Sequence, residues 1–270
     1  MTAARTGTYP LERRVGEIER LAVQAAAMAP DCAAMLERIG VAPGWACLDL
    51  GCGPGGITAL MSERVGRSGR VVGLDADPVF VAHARKSAPA NVEFMLGDAY
   101  RTELADHSLD LVHIRFVAST AGRPEALFRE AMRVARPGRI VALQEPDMTT
   151  LECYPPHPAW ASLKAALIGA FASAGADINL GRRLFALARQ AGLEDVQYRP
   201  FVLGVRAGDP MTDYLPATVE SLRRTIVERG LLAERELDAA LKECRAHLRK
   251  PDTAFTMYAV AQVWGKAPRR

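Results

Sequence analysis

Residues 46–56 constrain the fold more than any other stretch, because a short apolar segment there runs directly into a cluster of glycines. Cys47, Leu48 and Leu50 follow a Pro43-Gly44 turn and predict a buried strand. Beyond the glycines, apolar residues recur at helical spacing from position 57 onward. A strand, a glycine turn and a helix in this order bring bare backbone to a helix N-terminus, so the stretch predicts a ligand site.

The glycines fit two ligand-binding patterns. Gly51, Gly53 and Gly56 match the dinucleotide pattern G-x-G-x-x-G, whereas Gly51, Gly53 and Gly55, with Asp49 upstream, match D-x-G-x-G-x-G. A pyrophosphate favours the positive end of a helix dipole without a fixed anion beside it. An acid at position 49 can instead help to hold the ammonium group of a sulfonium amino acid, directly or through water. Asp49 therefore favours S-adenosylmethionine, and a tight turn without a ligand is the remaining interpretation.

Acidic residues follow the next two predicted strands. Residues 70–75 predict a strand that ends at Asp75, about 20 residues past the glycine turn, where an acid accepts hydrogen bonds from ribose hydroxyls. Both the dinucleotide and the S-adenosylmethionine interpretations require this residue. Residues 91–96 predict a third strand, which Gly97-Asp98-Ala99 follows. Taken alone, Asp98 also suits a turn or a helix cap.

The chain then continues to alternate strands and helices. Residues 109–117 are almost continuously apolar, as in a parallel strand covered on both faces, and we expect His113 there to be a buried histidine with its hydrogen bonds satisfied. Arg136-Pro137-Gly138 predicts a turn before a fifth strand over 140–143. This alternation predicts a parallel sheet with right-handed crossovers. Further helices are predicted over 124–134, 160–174, 182–191, 210–230 and 234–248, and further strands over 196–202 and 256–263.

Two helices are predicted ahead of the first strand. An amphipathic pattern covers residues 11–28, and Asp31 can cap a second helix that ends at Gly40. The expected division is therefore an N-terminal helical cap over residues 1–40 and a ligand-binding core over 41–147. Residues 148–270 are expected to complete the sheet and to carry inserted lid helices.

Taken together, these motifs resemble those of a known family. Asp49-Leu50-Gly51-Cys52-Gly53-Pro54-Gly55 resembles the first motif of class I S-adenosylmethionine-dependent methyltransferases, and Gly97-Asp98-Ala99 resembles the motif that meets adenine in those enzymes. The likeness is closest to the small-molecule methyltransferases of ubiquinone and menaquinone biosynthesis. It implies an α/β, Rossmann-like, seven-stranded, mostly parallel sheet with an antiparallel last strand between the fifth and the sixth. Helices would cover both faces and an inserted helical lid would cover the substrate.

The resemblance also implies a cofactor and residue roles. The cofactor would be S-adenosyl-L-methionine, with S-adenosyl-L-homocysteine as product. The glycines would let the backbone approach the methionine moiety, Asp75 would hold the ribose, and Arg115 would flank the methionine end. Residues of the N-terminal segment would close over the cofactor. The full set expected there is Asp49, Gly51, Gly53, Gly55, Asp75, Ala76, Asp98, Ala99, Arg115, Tyr9 and Gln24.

No catalytic residue is assigned from the sequence. Methyl transfer from a sulfonium depends mainly on alignment, and a general base is needed only when the nucleophile must lose a proton. His157, in a proline-rich loop, is one candidate base, although it also suits a surface loop. Glu145, at the end of the fifth strand, is another. Both stay open.

Aromatic residues of the inserted helices indicate an apolar organic acceptor. Tyr154, Trp160 and Tyr214 are the candidate substrate residues, with packing against the sheet as the alternative interpretation. The sequence leaves open the acceptor and the atom that is methylated.

Composition and charge limit the kinds of partner that the chain is expected to bind. A net charge of +3, from 34 basic and 31 acidic residues spread along the chain, argues against nucleic acid as a partner. Five scattered cysteines suit free thiols in a reducing cytoplasm and no metal site. No apolar run is long enough to span a membrane. We expect a cytoplasmic protein that acts on a small molecule, as a monomer or a homodimer.

Two rival functions remain at this point. A nicotinamide-dependent oxidoreductase would use the same strand, glycine turn and acid. A protein that binds S-adenosylmethionine without methylating anything would retain the same motifs.

Overall fold

The computed structural model describes residues 16–269. The helices in chain order are α1 (Glu17–Ile39), α2 (Gly56–Val65), α3 (Pro78–Arg85), α4 (Ala118–Ala121), α5 (Pro124–Val134), α6 (Pro158–Ser173), α7 (Leu184–Gln190), α8 (Tyr214–Glu220), α9 (Arg223–Glu228) and α10 (Glu234–Leu248). The strands are β1 (Ala46–Leu50), β2 (Arg70–Asp75), β3 (Val92–Leu96), β4 (Leu109–Arg115), β5 (Ala135–Asp147), β6 (Glu152–Tyr154), β7 (Glu194–Phe201), β8 (Gly204–Arg206), β9 (Ala254–Thr256) and β10 (Ala259–Lys266).

Seven strands form one sheet in the order β3-β2-β1-β4-β5-β10-β7. The first five are parallel, and β10 runs antiparallel to both of its neighbours, β5 and β7. All five residues of β1 are buried, as expected for a central strand covered on both faces. One apolar cluster packs α1, α2 and the inserted helices α6 and α8–α10 against one face, and a second packs α5 and α7 against the other. The predicted Rossmann-like architecture is confirmed.

The N-terminal helices differ from the prediction, because α1 is one helix that continues through Pro30. An internal proline costs about 3 kcal/mol, since it removes a hydrogen bond and crowds the preceding turn. The helix buries Met28, Cys32, Met35 and Leu36, at about 1.5–3 kcal/mol for a large apolar side chain, which outweighs that cost. Burial of these side chains, rather than the local preference of Pro30, therefore decides where α1 ends.

The end of the chain also differs from the prediction. Residues 256–263 do not form one strand, because the chain passes from one sheet to another at Met257 and Tyr258. Strand β9 is the centre of a small sheet of order β6-β9-β8, and β10 belongs to the main sheet. Strands of three residues are too short to give a periodic signal, so the small sheet was not predicted.

Two further predictions, of a turn and of one long helix, were also wrong. The predicted turn at Arg136-Pro137-Gly138 lies inside β5, where Leu109 pairs with Ala135 and Leu111 pairs with Ile140, so the intervening residues bulge. The predicted helix over 210–230 is two short helices, α8 and α9.

Within the described residues, none of the helices combines the length and apolar character that a membrane crossing requires.

Candidate active site

A cavity of about 830 Å³ lies at the carboxyl ends of strands β1 to β4. Open α/β sheets bind ligands at this edge, because the loops that leave parallel strands diverge there. The lining residues that sequence reasoning had singled out are Asp49, Gly51, Gly53, Asp75, Ala76, Asp98, Ala99, Arg115, Gln24 and Tyr214. Nearly all of the predicted cofactor set therefore faces one cavity.

The glycine turn after β1 is shaped by close contact with the loop after β4. Gly51 has a φ of 77°, and a β-carbon there would lie 2.2 Å from Val117 Cγ2. Gly55 caps α2 with a φ of 100°, and a β-carbon there would meet the Phe94 ring at 3.2 Å. Gly55 is not among the lining residues, so its conformation shapes the turn rather than the cavity wall.

Asp75 organises the loop around the next strand end. Its two carboxylate oxygens accept hydrogen bonds from the backbone N–H groups of Gly53 and Asp77, both at 2.8 Å. Burial raises the pKa of this carboxyl, and the two backbone donors oppose that rise. Each carboxylate oxygen carries two lone pairs, so Asp75 can accept further hydrogen bonds from a ligand.

Asp98 stabilises a turn and also lies on the cavity wall. Its Oδ1 accepts a hydrogen bond from the backbone N–H of Tyr100 at 2.9 Å, which fixes the turn, and its side chain also lines the cavity. The Arg123 guanidinium stacks on the Tyr100 ring, and its Cζ lies 3.8 Å from the ring centroid. Leu96 lies on the same wall with 55% of its surface exposed, an apolar face that a flat ring can cover.

Asp49 is held by a buried network. Its Oδ2 accepts from the Thr58 hydroxyl at 2.6 Å, and its Oδ1 lies 3.2 Å from His113 Nδ1. Gln144 Nε2 lies 2.9 Å from His113 Nε2, and Gln262 Nε2 donates to Gln144 Oε1 at 3.1 Å. An amide that donates to Nε2 leaves the His113 proton on Nδ1, directed at Asp49. His113 is therefore a buried histidine with satisfied hydrogen bonds, as predicted.

Arg115 provides a cationic group at the cavity wall. Its Nη1 lies 3.7 Å from Cys32 Sγ, and within residues 16–269 it forms no ion pair with a carboxylate. Nη2 lies 3.8 Å from where a β-carbon on Gly56 would be, at the start of α2. A guanidinium beside a helix N-terminus favours an anionic group such as a carboxylate.

The far half of the cavity is mostly apolar. Arg20 lies at its edge and makes two hydrogen bonds of 2.8 Å to the Glu17 carboxylate, so its charge is balanced locally. Tyr258, whose ring lies 5.6 Å from the Tyr214 ring, was not singled out from the sequence. The residues that line this half are Phe116, Met148, Phe171, Ile178, Tyr214, Thr218 and Tyr258.

Several sequence candidates lie away from the cavity. Tyr154 is 75% exposed, and Trp160 is buried against Phe255 with ring centroids 4.9 Å apart. His157 caps α6, where its Nδ1 accepts from the Ala159 N–H at 3.2 Å, and it stacks on His247. None of these side chains lines the cavity, because Tyr154 is exposed on β6, whereas Trp160 and His157 face the small sheet and α10. Tyr9 lies outside the described residues.

Glu145 has a structural environment that the sequence did not indicate. It is fully buried, and its two oxygens accept from the backbone N–H groups of Ala118 at 2.9 Å and Ser119 at 3.1 Å. Burial raises its pKa to about 7. Glu145 thus anchors the loop after β4, including Val117 and Ser119, which line the cavity.

Sequence reasoning missed Tyr100, Val117, Thr218 and Tyr258 at the cavity. Val117 is the last residue of the strand predicted over 109–117, and Tyr100 lies four residues past the strand predicted over 91–96, so both lie near strand ends that the sequence does signal. Tyr258 lay inside a predicted strand, and only its departure from that strand brings it to the site.

Comparison with known proteins identifies the family. The family described as "Methyltransferase domain" matches residues 47–138. A 2-phytyl-1,4-naphtoquinone methyltransferase of Thermosynechococcus vestitus is 32% identical over 179 residues, which cover 61% of this chain and 79% of that protein. The chain belongs to the class I S-adenosylmethionine-dependent methyltransferases. In this methyltransferase-family chain, the glycine turn after β1 and the acids Asp49, Asp75 and Asp98 lie on the cavity wall.

Other relatives of this methyltransferase-family chain differ in what they act on. An arsenite methyltransferase of Halobacterium salinarum is 32% identical over 193 residues, covering 67% of this chain and 47% of that protein. A phosphoethanolamine N-methyltransferase structure from Haemonchus contortus, with S-adenosylhomocysteine bound, aligns at a TM-score of 0.55 and 18% identity, covering 88% of this chain and 52% of that one. The chain spans less than half the length of two of the curated relatives that it matches.

Proposed function

We propose that this chain binds S-adenosyl-L-methionine and transfers its methyl group to a small, apolar organic acceptor by in-line displacement. The observation that carries the proposal is a single cavity in which Asp49, Asp75, Asp98 and Arg115 line one half and apolar side chains line the other.

The residues of the first half fit the parts of this cofactor. Asp75 has lone pairs for the ribose hydroxyls, and Asp98 keeps Oδ2 available for the adenine amino group, with the Ala99 backbone beside it. Arg115 can pair with the methionine carboxylate, and Asp49 lies on the same wall for the ammonium group. A β-carbon at position 51 would displace Val117 from this wall, which explains the glycine.

When bound, the cofactor supplies a methyl group that is already activated by its sulfonium. The chain therefore has to align the two reactants and exclude water, and alignment of this kind is worth about 7–11 kcal/mol. Glu145, through Ala118 and Ser119, holds the loop after β4, which lines the cavity. Helices α1 and α8 contribute Gln24 and Tyr214 to its walls.

The lining of the second half favours a neutral acceptor. Arg20 is paired with Glu17, so a phosphorylated acceptor would find no uncompensated cation at that edge within the described residues. Apart from Thr218, the other side chains of this half are apolar or phenolic, which suits an aromatic or isoprenoid-like body. The quinone methyltransferase relative is consistent with such an acceptor.

Arsenite is the second acceptor to consider, because one relative carries that name. Trivalent arsenic, as a soft centre, favours several thiolate ligands. Cys52 is the one cysteine on the described cavity wall, and burial raises the pKa of its thiol. The described residues also contain no cluster of three or more His, Cys, Asp or Glu side chains that could hold a metal ion. The lining therefore favours an organic acceptor.

Equilibrium dialysis of the protein with S-adenosylhomocysteine and with NAD separates the proposal from a nicotinamide-dependent oxidoreductase. We expect binding of the first and none of the second. Asp75→Ala and Asp98→Ala should each weaken S-adenosylhomocysteine binding about tenfold or more, since each removes a hydrogen bond from a charged group. Asp252→Ala, at an exposed turn away from the cavity, is the matched control.

Transfer of a tritiated methyl group to small molecules of a cell extract tests the reaction itself. We expect label in the organic-soluble fraction. Cofactor binding without transfer would favour the non-methylating alternative, and binding of NAD alone would refute the proposal. A homodimeric state and a cytoplasmic location remain predictions from the sequence.

A further inference from the structure

Four buried polar side chains form a polar row across the sheet, one from each of the neighbouring strands β1, β4, β5 and β10. They are Asp49, His113, Gln144 and Gln262, each no more than 2% exposed. Asp49 and His113 are paired in register, as are Gln144 and Gln262. Apolar side chains of similar shape can replace hydrogen-bonded partners with little change in stability. Stability alone therefore does not explain a polar row in the middle of a sheet.

The polar row has a direction that a backbone carbonyl fixes. Gln262 Nε2 lies 3.1 Å from the carbonyl oxygen of Asp31 on α1, and this oxygen can only accept, so the nitrogen end of the Gln262 amide is identified. The same nitrogen donates to Gln144 Oε1, also at 3.1 Å. Gln144 therefore turns its own nitrogen toward His113 Nε2, at 2.9 Å. Because His113 accepts at Nε2, its proton is on Nδ1.

Asp49 lies at the end of the polar row and on the cavity wall. His113 Nδ1 lies 3.2 Å from Asp49 Oδ1, and the Thr58 hydroxyl donates to Oδ2 at 2.6 Å. Both oxygens thus accept a hydrogen bond and keep a lone pair for another. Neither His113 nor Thr58 lines the cavity, so a ligand would meet only the carboxylate that these donors orient. Hydrogen bonds weaken steeply when their geometry is poor, so this orientation matters for a cation at the wall.

We propose that the polar row orients the Asp49 carboxylate toward the ammonium group of the cofactor, and thereby sets how strongly the chain prefers a nucleoside that carries this group. Asp49 contacts the cofactor in this scheme, whereas His113 and Gln144 are positioning residues. The inference rests on the proposed function, because it concerns the amino-acid end of the same cofactor. A network that only stabilised the fold would affect all nucleosides alike.

The test compares three nucleoside thioethers. S-adenosylhomocysteine carries both an ammonium and a carboxylate group, its decarboxylated form carries the ammonium alone, and methylthioadenosine carries neither. Calorimetry measures the affinity for each. The affinity for the decarboxylated form divided by that for methylthioadenosine is the ammonium ratio. We expect this ratio to be about ten to a hundred for wild type, the effect of one hydrogen bond to a charged group.

Replacement of His113 tests the positioning role. His113→Leu should lower the ammonium ratio about five- to tenfold, because Asp49 loses the donor at Oδ1. Methylthioadenosine should bind as it does to wild type. His113→Asn should retain the ratio, since its amide nitrogen can still donate to Asp49. The matched control is His83→Leu on α3, which does not line the cavity and should leave the ratio unchanged.

Gln144→Leu tests the row one strand further from the cavity. Without the Gln144 donor, the His113 proton is free to occupy either ring nitrogen, so the ammonium ratio should fall less than in His113→Leu. This variant gives the comparison if His113→Leu does not fold. Long-range proton–nitrogen NMR of the wild-type protein, with His113 assigned through its backbone, tests the direction without any substitution. We expect the imidazole proton on Nδ1.

The outcomes separate the polar row from the proposed function. A proton on Nε2 or on both nitrogens overturns the inference, and so does equal weakening of the three thioethers in the His113 and Gln144 variants. Wild type that binds S-adenosylhomocysteine but does not distinguish the decarboxylated form from methylthioadenosine overturns the inference and leaves the proposed function standing. Wild type that binds none of the three refutes both.

Discussion

Val117 packs directly against Gly51, so that a β-carbon at position 51 would lie 2.2 Å from Val117 Cγ2. This contact joins the turn after β1 to the loop after β4, and both line the cavity. The turn that the sequence identifies as a ligand site is thus held from its far side by a residue 66 positions away. The effect of adding a side chain at position 51 on stability and binding can be measured.

Gly51→Ala should destabilise the protein by about 2–5 kcal/mol. The left-handed backbone costs about 1–2 kcal/mol for a residue with a β-carbon, and the overlap with Val117 adds about 1–3 kcal/mol. Urea unfolding measures the loss, and S-adenosylhomocysteine affinity should fall with it. Gly204→Ala is the control, since β8 has open space there and an ordinary backbone, and it should change the unfolding free energy little. Equal stability of the two variants would contradict the expectation.

Glu145 should make the protein less stable as the pH rises from about 5 to 7. Its pKa is about 7 in the folded state, against 4.5 for an ordinary glutamate, so the folded protein holds a proton that the unfolded chain has released. Stability from this group is therefore complete below pH about 4.5 and is lost as the pH rises through 7. The loss is on the order of 3 kcal/mol.

The measurement compares wild type with Glu145→Gln by denaturant unfolding at pH 5 and pH 8. The variant loses one acceptor for the N–H groups of Ala118 and Ser119, so it should be less stable at pH 5. The difference in unfolding free energy between wild type and variant should narrow or reverse at pH 8, where wild type carries the buried charge. A gap that is the same at both pH values would show that Glu145 does not titrate in this range.

Arg115→Met should weaken S-adenosylhomocysteine binding about ten- to a hundredfold, if Arg115 pairs with the methionine carboxylate. A hydrogen bond to a charged group contributes about 1.5–3 kcal/mol, which corresponds to that range. Calorimetry measures the affinity, and Arg70→Met, at the opposite end of β2, is the control. A methionine ester of the cofactor product should show the same weak affinity for wild type and variant. A loss confined to the carboxylate form identifies the pairing.

His157→Ala should reduce stability by about 0.5–2 kcal/mol and leave methyl transfer unchanged. The histidine caps α6 through the Ala159 N–H, and replacing a cap with alanine costs about this much. It does not line the cavity, so it cannot reach an acceptor there. Thermal unfolding and the rate of tritium transfer, measured on the same samples, separate the two effects. A slowed reaction in a stably folded variant would restore His157 as a base.

Parts of the fold could be predicted because they depend on local pattern. The buried run of β4 and the glycine and acid positions at the ends of β1 and β2 each lie within a few residues of the signals that revealed them. The antiparallel β10 followed from the family resemblance rather than from periodicity. Pro30 misled the prediction of α1, because burial of Met28 and Met35 outweighs a proline's local cost.

The candidate site likewise has one part that could be predicted from the sequence and one part that could not. The sequence by itself determined the parallel strands and the half of the cavity that carries Asp49, Asp75 and Asp98, since strand ends and the turns after them are set by residues adjacent in the chain. Only the tertiary structure decided the mostly apolar half, where Gln24 and Tyr258 are hydrogen-bonded across 234 positions and the Tyr214 ring lies beside the Tyr258 ring. It also placed Trp160 and His157 outside the site. The physical reason is that helix packing decides which side of a buried helix faces a cavity, and an apolar helix such as α6 gives no local signal of that choice.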